Sequence, residues 1–382
     1  MNKALLIPDS FKGTLSSHEI CELIAAQIAQ QFPECEIVSI PVADGGEGSI
    51  ECFLSALGGE KITATVSDPF FQPLETYYGL IAKSQLSKSP TAIVEMASCA
   101  GLPLVENHKD PKKTTTYGVG ELMVCAAHHG AQTIIVGLGG SCTTDGGCGA
   151  AAAAGIKFYD AQGNTFVPTG GTLTDIARID TSGLDPVLSQ TTILAMCDID
   201  NPMYGPMGAA YVFAPQKGAD DSTVSELDRG LAHLAALIKR DLNIEVANVA
   251  GSGAAGAMGA GMMAFFNAKL QMGIETVLDT VDFFTLAQDT DVIFTGEGKL
   301  DSQSLRGKVV IGVAKRAQAL GIPVIALVGG AEDAVEKAYE MGVTAVFPIN
   351  RLPEDFEVSR YKSAENLSRT VQDVLRLIAA FQ

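Results

Sequence analysis

Three groups of residues have types and spacings that suit chemistry. The first is Thr295-Gly-Glu297-Gly-Lys299-Leu-Asp301-Ser302, where three charges fall at alternate positions straight after the apolar run Val292-Ile-Phe294. A short buried strand that ends in a glycine-rich charged loop and then turns into a helix is where open α/β sheets place ligands. The second is Gly139-Gly140-Ser141 followed by Thr143-Thr-Asp145-Gly146-Gly147. Successive glycines expose backbone N–H groups, the hydroxyls add donors, and a helix behind supplies a positive end, which together suit a phosphate. The stretch lacks the Gly-Lys-Ser/Thr of a Walker A loop and the context of a dinucleotide fingerprint, so a ligand-free tight turn is the plainer alternative. The third is a set of polar residues at the ends of expected strands: Asp9, Ser10 and Lys12, then Asp44, then Asp198 and Asp200.

Carboxylates such as Asp44, Asp145, Asp198, Glu297 and Asp301 can hold Mg²⁺, which takes one or two of them beside phosphate oxygens and water. One of them could instead accept a proton from an attacking hydroxyl, and helix N-capping would serve for any one alone. Lys12, Lys299, Arg306 and Lys308 are cations near the same strand ends, which in so acidic a chain points to an anionic ligand. A phosphate cradle, metal-holding carboxylates and lysines for anion stabilisation are the parts of phosphoryl transfer.

Several function classes fall away on composition. The formal net charge of −18 argues against nucleic acid or an anionic membrane as partner. No apolar run approaches the roughly 20 residues that span a bilayer, and the N-terminus leads into a strand without a signal-peptide pattern, so a cytoplasmic location is expected. With 382 residues, 47% of them apolar and 18% charged, the chain should fold into two well-buried domains. Eight cysteines show no Cys-x-x-Cys pair and read as small hydrophobes.

The elements that must position these residues follow from periodicity. Residues 3–8 predict a strand. Ser16 with Glu19 forms a capping box opening a helix, residues 35–40 predict a second strand, and another helix runs to about residue 57. Residues 61–82 alternate with aromatics and Pro, which predicts antiparallel strands. Further strands are expected at 92–96, 133–136 and 191–196, with helices near 119–129, 221–240 and 253–267. Regular alternation resumes with strands at 292–295, 323–328 and 344–349, each followed by a helix. The two ends together supply five strands and five helices, the inventory of a flavodoxin-like doubly wound parallel sheet of order 2-1-3-4-5. Residues 1–60 plus 285–382 would form that domain, with 61–284 an inserted second α/β domain. Asp9, Ser10 and Lys12 would then neighbour Glu297, Lys299 and Asp301 at the switch point, with Asp44 one strand further. The active site is expected in the cleft between the domains.

The chain resembles the type I glycerate kinase family, end to end. The resemblance is carried by Pro8-Asp-Ser-Phe-Lys-Gly-Thr14, Pro41-Val-Ala-Asp-Gly-Gly-Glu-Gly48, Gly137-Leu-Gly-Gly-Ser141 with Thr144-Asp-Gly-Gly147, Cys197-Asp-Ile-Asp-Asn-Pro202, Ala214-Pro-Gln-Lys-Gly218 and Thr295-Gly-Glu-Gly-Lys-Leu-Asp-Ser302. It implies an ATP- and Mg²⁺-dependent kinase acting on D-glycerate, with 2-phosphoglycerate favoured over 3-phosphoglycerate, in glycerate, glyoxylate or sugar-acid catabolism. It also implies that the inserted domain resembles the restriction-endonuclease fold. Within that frame Lys12 and Lys299 are expected to neutralise substrate carboxylate and transferring phosphoryl group, with Asp9 and Ser10 beside the substrate. Gly139, Gly140 and Ser141, with Gly146, Gly147 and Glu297, are expected at the nucleotide. Asp145, Asp198 or Asp301 would support Mg²⁺, and Asp44 or Asp198 would take the hydroxyl proton. The competing class is a non-catalytic metabolite-binding regulator, for which no output surface is visible. Oligomeric state is left open.

Overall fold

The computed structural model describes residues 1–43, 46, 48–83, 89–332 and 335–381. Asp44 therefore lies outside the described residues. The fold is mixed α/β with parallel sheets, and the chain divides into two compact units, one of residues 1–44, 51–58 and 272–382 and the other of 45–50 and 59–271.

The first unit is built on five parallel strands. Lys3–Pro8 lies between Glu36–Ser39 on one side and Val292–Leu300 on the other, and Val324–Ala331 and Ala345–Pro348 continue the sheet beyond. Parallel strands carry helices on both faces, so their central residues must be apolar throughout. Ala4, Leu5, Leu6 and Ile7 are accordingly fully buried. One face is covered by Ser17–Gln31 and the long C-terminal helix Ser363–Ala380, through Ile20, Ile24 and Ile28 against Leu367, Val371 and Val374. Val309–Gln318 packs on the central strands with Val310, Ile311, Val313 and Ala314 buried. The first helix opens as its sequence predicts: Ser16 Oγ accepts from the Glu19 N–H at 3.2 Å, and the Glu19 carboxylate accepts from the Ser16 N–H at 2.8 Å.

One element departs from the sequence expectation in a way that matters. The strand beginning at Val292 does not break at Gly296; it continues to Leu300, with Glu297 opposite Val328 and Lys299 opposite Gly330. Glycine in a strand interior marks close approach of another backbone as readily as a break. Here a Cβ on Gly298 would stand 3.5 Å from both the Lys12 nitrogen and the Phe11 Cα. The loop after the first strand thus lies against the extended end of its neighbour. Because side chains alternate along a strand, Glu297 and Lys299 share one face.

The second unit holds a six-stranded sheet, in the order Lys269–Gln271, Thr192–Met196, Thr133–Gly137, Thr91–Glu95, Pro73–Ile81, Glu60–Ser67. The first four are parallel and the last two antiparallel, as the aromatic alternation of that region predicts. A small sheet of Lys157–Tyr159, Thr165–Phe166 and Arg178–Asp180, which the sequence reading did not anticipate, stands beside it. The expected glycine-rich helix is Ala254–Phe266, whose first turn carries left-handed backbone at Ala255, Gly256 and Ala257. Among the described residues no helix is long and apolar enough to cross a membrane.

Candidate active site

In the first unit the carboxyl ends of the two central strands come together. Thr295 donates its hydroxyl to Ile7 O at 2.8 Å, and the Asp9 N–H donates to Gly296 O at 2.9 Å, so Asp9 stands beside Glu297. Past Asp9 the chain closes a tight loop: the Phe11 N–H donates to Leu15 O at 2.8 Å and the Thr14 hydroxyl to Phe11 O at 2.8 Å. This loop, the strand end and the segment after the last strand enclose a cavity of about 550 Å³. Lys12, Lys299 and Lys308 line it together with Asp9, Ser10 and Glu297. The sequence places Lys12 and Lys299 far apart; the sheet order brings both to one cavity.

The two carboxylates here are buried and close. Asp9 is 9% exposed and Glu297 7% exposed, and Glu297 Oε1 is buried without a hydrogen-bond partner. Burial pushes the Glu297 carboxyl up to about 7, and the negative charges of Asp9 and Asp301 add to the push; the Ser304 hydroxyl and Lys308 work against it. Asp301 is half-buried and caps its own turn, its Oδ1 accepting from the Gln303 and Ser304 N–H groups at 2.8 and 3.2 Å. Burial opposes its charge, yet those N–H groups with Lys308 and Lys299 hold its carboxyl below the ordinary range. Lys299 pairs with Glu332 at 2.5 Å. Thr14, Asn350, Phe356, Ser359 and Ser363 also line the cavity and were not singled out in the sequence. Their only signal was position after strand ends, which a loop shares whether or not it binds anything.

In the second unit the 139–147 loop has two halves with different characters. Gly139 is half-buried and Gly140 exposed, while Ser141 is buried and pinned from both sides. The Lys217 ammonium donates to Ser141 Oγ at 2.9 Å and to Thr143 O at 2.6 Å, and the Cys142 N–H donates to Ala100 O at 2.9 Å. Lys217 is itself only 2% exposed. Burial pulls its ammonium down to about 8, against the upward pull of Cys142 and Asp145. A lysine this deep was missed because a lone Lys in a sequence reads as surface; Ala214-Pro-Gln before it was the one hint.

The second half is occupied by protein. Asp145 is fully buried. Its carboxylate accepts from the Thr116 N–H at 2.8 Å, the Thr116 hydroxyl at 2.9 Å, and the Gly147 and Gly149 N–H groups at 3.1 and 3.2 Å. The Gly146 N–H donates to Gly256 O at 3.1 Å. Neither Asp145 nor the Gly146 and Gly147 amides are presented to a ligand, and the carboxylate works instead as the post around which the loop is wound. Asp198, half-buried, and Asp200, exposed, follow the Thr192–Met196 strand, each with electrostatic neighbours of its own. Among the described residues no three His, Cys, Asp or Glu side chains gather closely enough to hold a metal ion between them. A Mg²⁺ that took one protein carboxylate and completed its shell with phosphate and water would need no such group.

The family model described as the glycerate kinase family matches residues 4–379. A protein of Escherichia coli K12 named glycerate 2-kinase is 40% identical over 378 residues, covering 99% of this chain and 98% of its own. A glycerate kinase of Halalkalibacterium halodurans is 41% identical over 350 residues, 91% of each chain. A crystal structure from Salmonella typhimurium LT2, named for glycerate kinase 2, superposes with a TM-score of 0.87 at 39% identity, covering 100% of this chain and 99% of that one. The chain belongs to the glycerate kinase family.

Proposed function

We propose that the protein transfers the γ-phosphoryl group of ATP to a hydroxyl of D-glycerate, and that the transfer takes place at the cavity of the first unit. The observation that carries this reading is the meeting of Lys12, Lys299 and Lys308 with Asp9 and Glu297 at adjacent strand ends. Both substrates are anions, and a loose phosphoryl transition state demands positioning and charge neutralisation more than covalent help. Lys12 and Lys299 supply that charge. Asp9 and Ser10 meet the small acid, and Glu297, whose buried carboxyl sits near neutrality, takes the hydroxyl proton. This replaces Asp44 or Asp198 as base. The order of the first sheet supports a flavodoxin-like assignment for that unit, and the second is proposed to resemble the restriction-endonuclease fold.

The residues fit a hard, oxygen-seeking cation at Asp301, whose carboxylate is held ionised beside the lysines, or at Asp198. Mg²⁺ held there would supply positive charge to offset that of the phosphates. Gly139, Gly140 and Ser141 remain a proposed anion contact, with Lys217 bracing them from below. Attack by the 2-hydroxyl is favoured, a preference supported by the name of the Escherichia coli relative. The test is ADP release from purified protein with Mg-ATP and D-glycerate, with phosphorus NMR of the product to tell the 2-phosphate from the 3-phosphate. Ligand binding without ADP release would fit a regulator and sink the kinase reading.

A further inference from the structure

The cavity of about 550 Å³ is far larger than a three-carbon acid requires. Pockets of roughly 300–1,000 Å³ enclose ligands of drug or nucleotide size. Its walls also include surfaces that a small polyanion would not use. Phe356 is an aromatic left 54% exposed, its ring reaching across so that Cζ lies 3.7 Å from where a Cβ on Gly13 would be. Ile349, itself buried, lines the same cavity. Asn350 is fixed by donating from Nδ2 to Gly329 O at 2.7 Å, and its carbonyl oxygen remains an acceptor. At Gly330, which also lines the cavity, a Cβ would meet nothing within 4 Å, so open space continues down to the backbone of the strand. A flat heterocycle needs such an arrangement: an aromatic face, bare backbone for close approach, and one carboxamide to read an exocyclic amino group.

We propose that this cavity holds the adenosine end of the nucleotide, with the purine against Phe356 and Ile349, its amino group on Asn350, and its phosphates directed to Lys12, Lys299 and Lys308. The assignment rests on the kinase reading and adds where the base sits. It moves the nucleotide's recognition into the first unit, where the sequence had suggested only Glu297.

The experiment measures ADP binding by calorimetry and steady-state kinetics for the wild type, Phe356→Ala, Phe356→Tyr and Asn350→Ala. Phe356→Ala should weaken ADP binding and raise KM for ATP by at least about tenfold, the loss of one base–aromatic stack, with KM for D-glycerate changed by less than about threefold. Phe356→Tyr should bind as the wild type does, and Asn350→Ala should narrow the preference for ATP over GTP. Because Phe356 is half in solvent, its replacement leaves the core intact, and circular dichroism checks this. Unchanged ADP affinity in both Phe356→Ala and Asn350→Ala, or a rise confined to KM for D-glycerate, overturns the placement while the kinase reading stands. A wild type that binds no ADP and releases none from ATP overturns both.

Discussion

Lys299 Nζ stands 2.5 Å from the Glu332 carboxylate, so the cation at the strand end carries its own counter-ion. Both side chains are more than half exposed, and a solvated pair of this kind holds its partners weakly. The pairing raises the proton affinity of Lys299, with the Glu332 hydrogen bond as the chief cause, and keeps the ammonium charged at any working pH. An incoming phosphate can therefore displace Glu332 at little cost. Lys299→Ala and Lys12→Ala should each lower kcat/KM at least about a hundredfold, the loss of one charge clamp on the transferring group. Glu332→Gln should change it by less than about threefold. Near-normal rates in both lysine variants, with the fold intact, would remove the cavity from the catalytic picture.

Glu297 sets function against stability, and the sign can be worked out. Its folded-state carboxyl titrates at about 7, above the ordinary value near 4.5. Between those pH values the native state binds more protons than the unfolded state, so stability falls as pH rises through that window. The penalty is fully present above about 7 and absent below 4.5. Glu297→Gln should thus be more stable than the wild type at pH 8 by about 3 kcal/mol, and the advantage should vanish near pH 4.5. The same variant should lose activity, and wild-type kcat/KM should rise with pH through about 7 as the base ionises. Urea unfolding at the two pH values checks the first claim; equal gains at both would refute it.

What the sequence made legible was whatever rests on local chemistry or on period. The Ser16–Glu19 box, the buried runs at Lys3–Pro8 and Val292–Phe294, and the antiparallel alternation of residues 61–82 are each written in a few adjacent residues. The strand order was inferred from the count of alternating elements, and so was the nearness of Lys12 to Lys299. The rest depended on what the chain meets after folding. Gly296 and Gly298 look like breakers until the Leu327 backbone is laid against the first and the Phe11–Lys12 backbone against the second. Asp145 looks like a metal ligand until Thr116, Gly147 and Gly149 occupy its oxygens. Phe356 looks like an ordinary apolar residue until it is seen facing a cavity.

Gly256 tests how tightly the phosphate-like loop is braced. It has a φ of +67°, and a Cβ there would stand 2.0 Å from Thr143 O and 2.6 Å from Thr144 Cα. Lys217 holds Thr143 O, and the Gly146 N–H holds Gly256 O, so the two segments are tied at this contact. Gly256→Ala should destabilise the protein by about 3 kcal/mol or more, adding overpacking to backbone strain. Gly321 offers the control: its φ is +68°, but nothing lies within 4 Å of its Cβ position. Gly321→Ala should cost about 1 kcal/mol, backbone strain alone. Thermal unfolding of the two variants side by side decides it, and equal losses would mean that the loop is not braced.

The buried ammonium of Lys217 makes a prediction that only a fully enclosed cation can make. Its proton leaves at about 8 in the folded protein, against 10.5 for an ordinary lysine. Between those values the unfolded chain binds the proton and the native state does not, so this group's contribution to stability rises with pH across the window. Below about 8 both states carry the charge, and its contribution is flat at its least favourable level. Lys217→Met fills the same space without a proton to lose, leaving Ser141 Oγ and Thr143 O without their donor at every pH. The stability of the wild type relative to Lys217→Met should therefore increase by about 3 kcal/mol from pH 7.5 to 10.5. The buried thiols push the other way: Cys142, held up at about 12 chiefly by burial, costs stability once the unfolded thiol ionises. That loss is common to both proteins and drops out of the comparison to first order. Urea unfolding of the pair at pH 7.5, 9 and 10.5 gives the difference directly. A difference that stays flat or shrinks would show that the Lys217 ammonium is reached by water, and the dry brace beneath Ser141 would have to be abandoned.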